Sequence, residues 1–271
     1  MQPSSSYPQQ TPINPINPPA PYLGGKRLLS KTLIERIQKI NHQCYAEPFF
    51  GMGGVFFRRP FQAESEVIND VSKDVTTFLR VLQRHFVEFV SFMRWHVTTR
   101  SEFERLKEIN SESLTDIERA ARFFYLQKLS FGGKVAGRSY GYSPKEKGRF
   151  DITRIEGNLE ELHERLAAVQ IENLGYEDFI QRYDRPTTLF YLDPPYYNNE
   201  NDYGKNVFSK ADFETLARLL FLIKGKFILS LNDTPEVRKI FKSFTFESVS
   251  TTYSAGGGDK SKKVQEVIIS F

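Results

Sequence analysis

The sequence predicts an α/β fold built on a mostly parallel sheet, with a helical insertion and a terminal β-hairpin. Three observations carry that expectation. Thr188-Leu189-Phe190-Tyr191-Leu192 is an unbroken apolar run of strand length, the pattern of a strand buried on both faces. A short strand at Cys44-Tyr45-Ala46-Glu47 runs into a glycine turn, and about 20 positions on the strand Glu66-Val67-Ile68-Asn69-Asp70 ends on an acid, as in a βαβ unit. Phe227-Ile228-Leu229-Ser230-Leu231 repeats the buried-strand pattern after an amphipathic helix.

The 271 residues, 39% hydrophobic and 14% aromatic, suffice for one full core plus a substantial insertion. No uncharged apolar run is long enough to span a bilayer, and the N-terminus lacks the basic-then-apolar pattern of a signal peptide. No membrane association is expected. The single Cys44 allows no internal disulfide, which fits a reducing compartment. His42, His85, His96 and His163 sit at no metal-ligand spacing, so no metal is expected. A formal charge of +4 and a pI near 8.9 are compatible with a nucleic-acid partner without being diagnostic of one.

Residues 1–21, rich in Pro, Ser, Gln and Asn, read as a disordered or extended arm. Order begins at Tyr22-Leu23-Gly24-Gly25-Lys26-Arg27, ahead of an amphipathic helix carrying Leu28, Leu29, Leu33, Ile34, Ile37 and Ile40. A Gly-Gly-Lys segment suits backbone close to a ligand at a helix start, or a plain turn with a solvated lysine. Glu47-Pro48-Phe49-Phe50-Gly51-Met52-Gly53-Gly54 has G-x-G-G spacing, which argues against a dinucleotide pyrophosphate. Taken alone it is equally a bend between elements. Asp70 can accept hydrogen bonds from both hydroxyls of a ribose, or serve only as the cap of the next helix. The joint pattern favours a nucleoside-containing ligand.

Residues 75–166 change character. Apolar residues recur at helical spacing from Phe78 to Met93, from Ile117 to Leu129 and from Ile152 to Leu166, with no buried strand between them. This is a helical insertion between the second and third strands of a domain formed by residues 22–74 and 167–271. Its aromatic stripes, Trp95 included, read as core. Within it, Phe131 to Arg149 holds five basic residues (Lys134, Arg138, Lys145, Lys147, Arg149) against one acidic, with glycines and tyrosines such as Tyr140 interleaved. Such a loop suits phosphates and base edges, or is a solvated surface loop.

The α/β pattern resumes at Val169–Leu174, and Gly175-Tyr176-Glu177-Asp178-Phe179 again places an acid and an aromatic past a strand end. The polar stretch Asn198–Asn206 is a candidate lid. Ser209-Lys210-Ala211-Asp212 matches a capping box, and Thr234-Pro235 an N-cap followed by a first-turn proline. Phe244–Tyr253 and Val264–Phe271, around a Gly-rich basic turn, read as the closing hairpin.

The stretch Asp193-Pro194-Pro195-Tyr196-Tyr197 ends the most apolar strand. Two prolines remove two backbone donors and fix two backbone angles, so a rigid loop leaves the strand's carboxyl end. One carboxylate, free carbonyls and two aromatic rings make it rich in acceptors and poor in donors. An amino group on a flat ring complements it.

The chain from Tyr22 onward resembles the Dam-type, D12-class DNA adenine-N6 methyltransferases. The markers are Gly24-Gly25-Lys26, Glu47 to Gly54, Asn69-Asp70 and Asp193-Pro194-Pro195-Tyr196, in that order. Where the family usually has Trp-Ala-Gly-Gly-Lys, this chain has Tyr22-Leu23-Gly24-Gly25-Lys26. The resemblance implies an S-adenosylmethionine-dependent (Rossmann-like) methyltransferase fold with S-adenosyl-L-methionine as cofactor. It implies that Glu47, Pro48, Phe49, Gly51 and Gly53 cradle the methionine moiety, that Asp70 holds the ribose, and that Asp178 and Phe179 contact the adenine. Tyr22 and Lys26 match its N-terminal cofactor motif. Asp193, Pro194, Pro195 and Tyr196 form the catalytic loop, which also borders the cofactor through Asp193. Lys134, Arg138, Tyr140, Lys145, Lys147 and Arg149 are the expected DNA contacts in the target-recognition insertion.

The implied reaction is direct methyl transfer to the N6 amine of an adenine flipped out of double-stranded DNA, with GATC the common family target. A monomer in the cytoplasm of a bacterium or phage-infected cell is expected, with restriction–modification one setting. Cys44 has no preceding proline and reads as structural, not as a cytosine-type nucleophile. Competing readings are an RNA-base or amide methyltransferase, and a DNA-binding protein without catalysis. A nicotinamide oxidoreductase fits the glycine spacing poorly.

Overall fold

The computed structural model describes residues 10–142, 148–204, 207–254 and 261–271, with backbone alone for 251–254 and 261–264. The strands are β1 (Thr11–Pro12), β2 (Cys44–Glu47), β3 (Phe61–Gln62), β4 (Ser65–Asn69), β5 (Gln170–Glu172), β6 (Thr188–Leu192), β7 (Lys226–Asn232), β8 (Thr245–Ser254) and β9 (Ser261–Ser270). The helices are α1 (Ser30–Lys39), α2 (Lys73–Arg84), α3 (Phe86–Met93), α4 (Arg100–Glu108), α5 (Asp116–Leu129), α6 (Ile152–Leu166), α7 (Tyr176–Tyr183), α8 (Lys210–Leu222) and α9 (Pro235–Ile240).

Seven strands form one sheet in the order β5-β4-β2-β6-β7-β9-β8. The first five run parallel, and β9 is antiparallel to both β7 and β8. The chain leaves β2 for β4 on one side and returns to β6 on the other, so strand order reverses between β2 and β6. That is the topological switch point, where the carboxyl ends of strands open a crevice. The expected α/β class, the mostly parallel sheet and the terminal hairpin are present.

Side-chain alternation divides the core in two. Tyr45, Ile68, Leu189, Tyr191, Ile228 and Ile268 pack with α1 and the helices between β4 and β5. Ala46, Val67, Phe190, Leu192, Phe227, Leu229 and Ile269 pack with α7, α8 and α9. Both faces of β6 are therefore covered, which explains its unbroken apolar run. The first cluster continues from the sheet through α2 to α6, so the helical insertion shares the core of the domain that carries it. Phe78 of α2 stacks on Phe124 of α5 with ring centroids 5.3 Å apart.

The predicted caps form: Ser209 and Asp212 make a capping box, and Thr234 caps α9 with Pro235 in its first turn. The helical run from Phe78 to Met93 is broken at His85 into α2 and α3. Trp95, expected in the core, is 86% exposed. It falls just past the end of α3, where helical spacing no longer dictates which way a side chain points.

The arm also differs from a disordered one over residues 10–21; residues 1–9 lie outside the described part. β1 pairs antiparallel with β3, and the Ile16 N–H donates to the Phe57 carbonyl at 2.7 Å. Lys128 Nζ donates to the Pro19 carbonyl at 3.0 Å and Gln127 Nε2 to the Pro21 carbonyl at 2.8 Å. A proline-rich segment has little to bury, but its carbonyls accept from other elements, and that ties the segment down as a strap.

Behind β2, the buried carboxylate of Glu66 pairs with Arg59 Nη2 and with Arg165 Nη2, each at 2.6 Å. Arg59 also lies over the Tyr45 ring, 3.7 Å from its centroid. Glu66→Ala would leave two buried guanidinium groups without their carboxylate and should cost about 3–5 kcal/mol. Denaturant unfolding checks this, and a loss below about 1 kcal/mol, the range of an exposed ion pair, would contradict it.

Candidate active site

A cavity of about 1100 Å³ opens at the switch point, lined by the ends of β2, β4 and β6, by residues 22–26 and by the start of α7. Its walls take shape from the residues that end each strand.

β2 ends on Glu47, and Pro48 then stops the ladder. Asn69, the last residue of β4, donates through Nδ2 to the carbonyls of Pro48 (3.0 Å) and Leu174 (3.1 Å), while its Oδ1 accepts from the Leu174 N–H at 2.8 Å. One buried amide thus clamps the ends of three strands together. Asp70 follows. Its Oδ2 accepts the Gly51 N–H and its Oδ1 the Ser72 N–H, both at 2.8 Å. Burial raises the Asp70 carboxyl to about 6, with those two donors opposing the shift. Asp70 is not the cap of α2: Ser72 is, accepting from the Val75 N–H. Gly51 holds φ +53°, and a Cβ there would lie 2.7 Å from the Tyr22 ring, so only glycine lets that ring close on the turn. Gly53 does not line the cavity. It holds φ +65° packed against Phe50 and Phe57, and its work is to make the turn.

The far end of the cavity is aromatic. Phe49 lies 5.5 Å from Tyr176 and 5.9 Å from Phe208 between ring centroids. Asp178, in the first turn of α7, borders this end. Phe179 does not: it is fully buried in the core cluster of α7 and α8, against Tyr183 at 5.0 Å. The start of α7 brings Tyr176, Glu177 and Asp178 to the cavity wall, whereas Phe179 falls on the side of the helix that packs into the core.

Glu47 is 2% exposed and accepts a hydrogen bond from Tyr45 Oη at 3.0 Å. Burial raises its carboxyl to about 8, against the Tyr45 hydrogen bond and the Arg59 charge. Beside it sits a charged cluster. Lys26 Nζ lies 3.0 Å from Asp193 Oδ1 and 3.2 Å from Glu266 Oε2, donates to Tyr196 Oη, and sits 4.2 Å from the centroid of the Tyr196 ring. The Lys26 side chain is 1% exposed and that of Glu266 fully buried, whereas Asp193 keeps 21% exposure toward the cavity. Burial raises the Asp193 carboxyl to about 6. Lys26 pulls it down, Glu266 pushes it up, and the Ser230 hydroxyl, donating at 3.3 Å, lowers it.

Period-two alternation explains why these groups meet. Glu47, Asp193, Ser230 and Glu266 fall on the same sheet face as Tyr45, Tyr191, Ile228 and Ile268, at or near the crevice end of their strands. Pro195 lines the cavity and Pro194 is buried beside it. The loop after them is fixed by Asn232, whose Oδ1 accepts the Tyr197 N–H at 2.9 Å and whose Nδ2 donates to the Tyr197 carbonyl at 3.0 Å. The polar stretch expected as a lid carries Tyr203, whose hydroxyl donates to the Leu23 carbonyl at 2.8 Å and whose ring lies 5.7 Å from that of Tyr22. Residues 205 and 206 of that stretch lie outside the described part.

The basic loop of the insertion starts beside the cavity, where the Leu23 N–H donates to the Gly133 carbonyl at 2.9 Å and Val135 lines the wall. Lys134 is exposed. Arg138 turns inward: its Nη2 donates to Gln127 Oε1 at 3.2 Å and its guanidinium lies over Phe123. Tyr140 is half-buried against Phe103, with Arg100 over its ring. Arg149 is half-buried next to Gly141. Lys145 and Lys147 lie outside the described residues.

Asn69, Tyr176, Phe208, Ser230, Asn232 and Glu266 went unassigned from sequence. Glu266 left a faint signal: a carboxylate directly before the apolar run Val267-Ile268-Ile269 is seldom fully buried unless it has a partner. Among the described residues no group of three or more His, Cys, Asp or Glu could hold a metal ion, and no helix is long and apolar enough to cross a membrane.

A family model described as D12 class N6 adenine-specific DNA methyltransferase matches residues 22–255. The chain is 24% identical over 202 residues to the Type II methyltransferase M.CviBI of Paramecium bursaria Chlorella virus NC1A, covering 74% of this chain and 77% of that relative. It is 24% identical over 281 residues to the Type II methyltransferase M1.LlaDCHI of Lactococcus lactis subsp. cremoris, covering 96% and 97%. A solved Pyrococcus horikoshii structure of a candidate RNA methyltransferase aligns over 89% of this chain and 79% of its own at 10% identity, with a TM-score of 0.41.

The Glu47 carboxyl makes stability pH-dependent. Its pKa in the folded chain, about 8, exceeds its ordinary value of 4.5, so its contribution to stability is complete below 4.5 and is lost as pH rises through 8. Glu47→Gln should therefore melt close to the parent at pH 5 and above it at pH 9. Melting curves across that range test this, and a difference that is constant or shrinks with pH would contradict it.

Proposed function

Because the chain belongs to the D12 class of N6 adenine-specific DNA methyltransferases, we propose that Asp193 is the amine acceptor of its reaction. The methyl group comes from S-adenosyl-L-methionine and goes to N6 of an adenine flipped out of double-stranded DNA. The observation that carries this reading is the Asp193 carboxylate, still partly open to the cavity, on a proline-locked loop at the switch point.

The residues present fit the cofactor. Asp70 spends one lone pair of each oxygen on a backbone N–H and keeps others for ribose hydroxyls. Phe49, Tyr176 and Phe208 offer ring faces for the adenine, with Asp178 at their edge. Glu47, Pro48, Phe49 and Gly51 would hold the methionine moiety beneath Tyr22. When bound, the sulfonium supplies an activated methyl group, so neither a metal nor a covalent enzyme intermediate is needed.

The chain's own residues do the rest. The Asp193 carboxylate and the Pro194 carbonyl accept the two amine N–H bonds of the flipped adenine. That draws the nitrogen lone pair out of conjugation with the ring and aims it across the cavity. Tyr196 stacks on the base and holds it there. The nitrogen carries positive charge until it sheds a proton, and Asp193 is the nearest base placed to stabilise that charge and accept the proton.

Residues 75–166 act as the target-recognition insertion, with Lys134, Tyr140 and Arg149 on its DNA side. Arg138 joins them only after leaving Gln127. The protein works as a cytoplasmic monomer.

Asp193→Ala should lower transfer of tritiated methyl groups to duplex DNA by about 100-fold or more, with the melting temperature little changed. Near-parental transfer by that variant would overturn the assignment, as would transfer by the parent to RNA in preference to DNA.

A further inference from the structure

We propose that Trp95 is a DNA-contact residue: its indole ring stacks on a base of the bound duplex at the flank of the recognition loop. This rests on the reading of residues 75–166 as the DNA-binding insertion and extends that surface to the connection between α3 and α4.

The exposure of Trp95 is the first observation. A tryptophan has the largest apolar surface of any side chain, and leaving it in water forgoes the burial that stabilises most others. Here the ring is 86% exposed, with Val97 and the edge of Phe92 open beside it. The recognition loop also exposes aromatic rings, those of Phe131 and Tyr142. A flat apolar ring held in solvent next to a basic loop is the side chain that stacks on nucleic-acid bases.

Its location is the second. The segment just after Trp95 is fastened to α5 and to both ends of the loop. The Tyr125 hydroxyl donates to the Val97 carbonyl at 2.7 Å, and Lys128, about one turn further along α5, lines the cavity. The Thr98 hydroxyl donates to the Phe150 carbonyl at 2.5 Å, and Gly148 packs against Thr98, where the loop returns. Arg100 lies over the ring of Tyr140, where the loop sets out, 4.9 Å from its centroid. Charge fits the same occupant. Arg94 pairs with Glu156 and Glu102 with Arg105, each at 2.7 Å, whereas Arg100 and Lys134 have no carboxylate partner among the described residues. A second copy of the chain, docked by two-fold symmetry, would set this basic face against itself. Duplex DNA brings phosphates for the cations and π faces for the indole.

Trp95 is the only tryptophan in the chain, so its own emission reports on the proposal. The full chain with S-adenosylhomocysteine is titrated with a duplex oligonucleotide that the parent methylates. Emission should fall on binding, and the ring should become shielded from quenching by acrylamide. Trp95→Ala should weaken duplex binding about 5- to 150-fold, the range for loss of one base–aromatic stack, with an unchanged melting temperature. The slope of affinity against salt should stay at the parental value, because no phosphate contact is removed. Trp95→Phe, which keeps a ring, should recover part of the loss.

Duplex binding by the parent with emission and acrylamide quenching unchanged would overturn the proposal and leave the DNA reading intact. So would a Trp95→Ala variant that binds the duplex as tightly as the parent. Shielding of Trp95 that follows protein concentration without DNA, with a dimer in sedimentation, would assign this face to a second copy and overturn it as well. A parent chain that binds no duplex DNA would instead refute the reading of the insertion, and this proposal with it.

Discussion

The site depends on one buried ammonium. Lys26 brings together the N-terminal segment, the loop after β6 and the terminal hairpin, through residues separated by as many as 240 positions in sequence. A lysine with 1% exposure is tolerable only where anions surround it, and those anions are tolerable only because it is there. Such mutual dependence fixes geometry more firmly than apolar packing, which would accept small displacements. Of the two carboxylates Lys26 contacts, Asp193 keeps access to the cavity and Glu266 does not.

The sheet supplies the scaffold for that interaction through simple alternation. Two residues apart at the end of β6, Tyr191 lies in the core and Asp193, the first residue past the strand, lies in the cluster. The same rule on β7 and β9 puts Ser230 and Glu266 opposite it. The strap of residues 10–21 and the shared core of the insertion then set the distance between the basic loop and the cavity. Gln127 makes the link visible, donating to Pro21 of the strap and to Gly133 of the loop, both at 2.8 Å.

Much of this was legible in the sequence. The parallel strands followed from unbroken apolar runs, the glycine turn and Asp70 from their spacing, and the Asp193 loop from its two prolines. All of those are local signals. What escaped was long-range or directional. Glu266 could be noticed as odd, but its partner lies in another segment. Arg138 belongs to a basic run that suggests phosphates, yet a glutamine one helix turn before the loop claims its guanidinium. Phe179 sits beside a cavity residue in sequence but falls on the core-facing side of α7, which the sequence pattern of so short a helix does not reveal. Trp95 continued an aromatic stripe on paper after its helix had ended. The arm lacked core-forming side chains, and composition alone does not show that its carbonyls would find donors.

The most direct measurement is a crystal structure of the chain with S-adenosylhomocysteine and an adenine-containing duplex. The expected result is an extrahelical adenine whose amine lies within hydrogen-bond distance of the Asp193 carboxylate and the Pro194 carbonyl. Tyr196 should be stacked on the base, and the cofactor ribose held by Asp70. A base bound elsewhere, or a cofactor outside the cavity between Glu47 and Asp178, would contradict it.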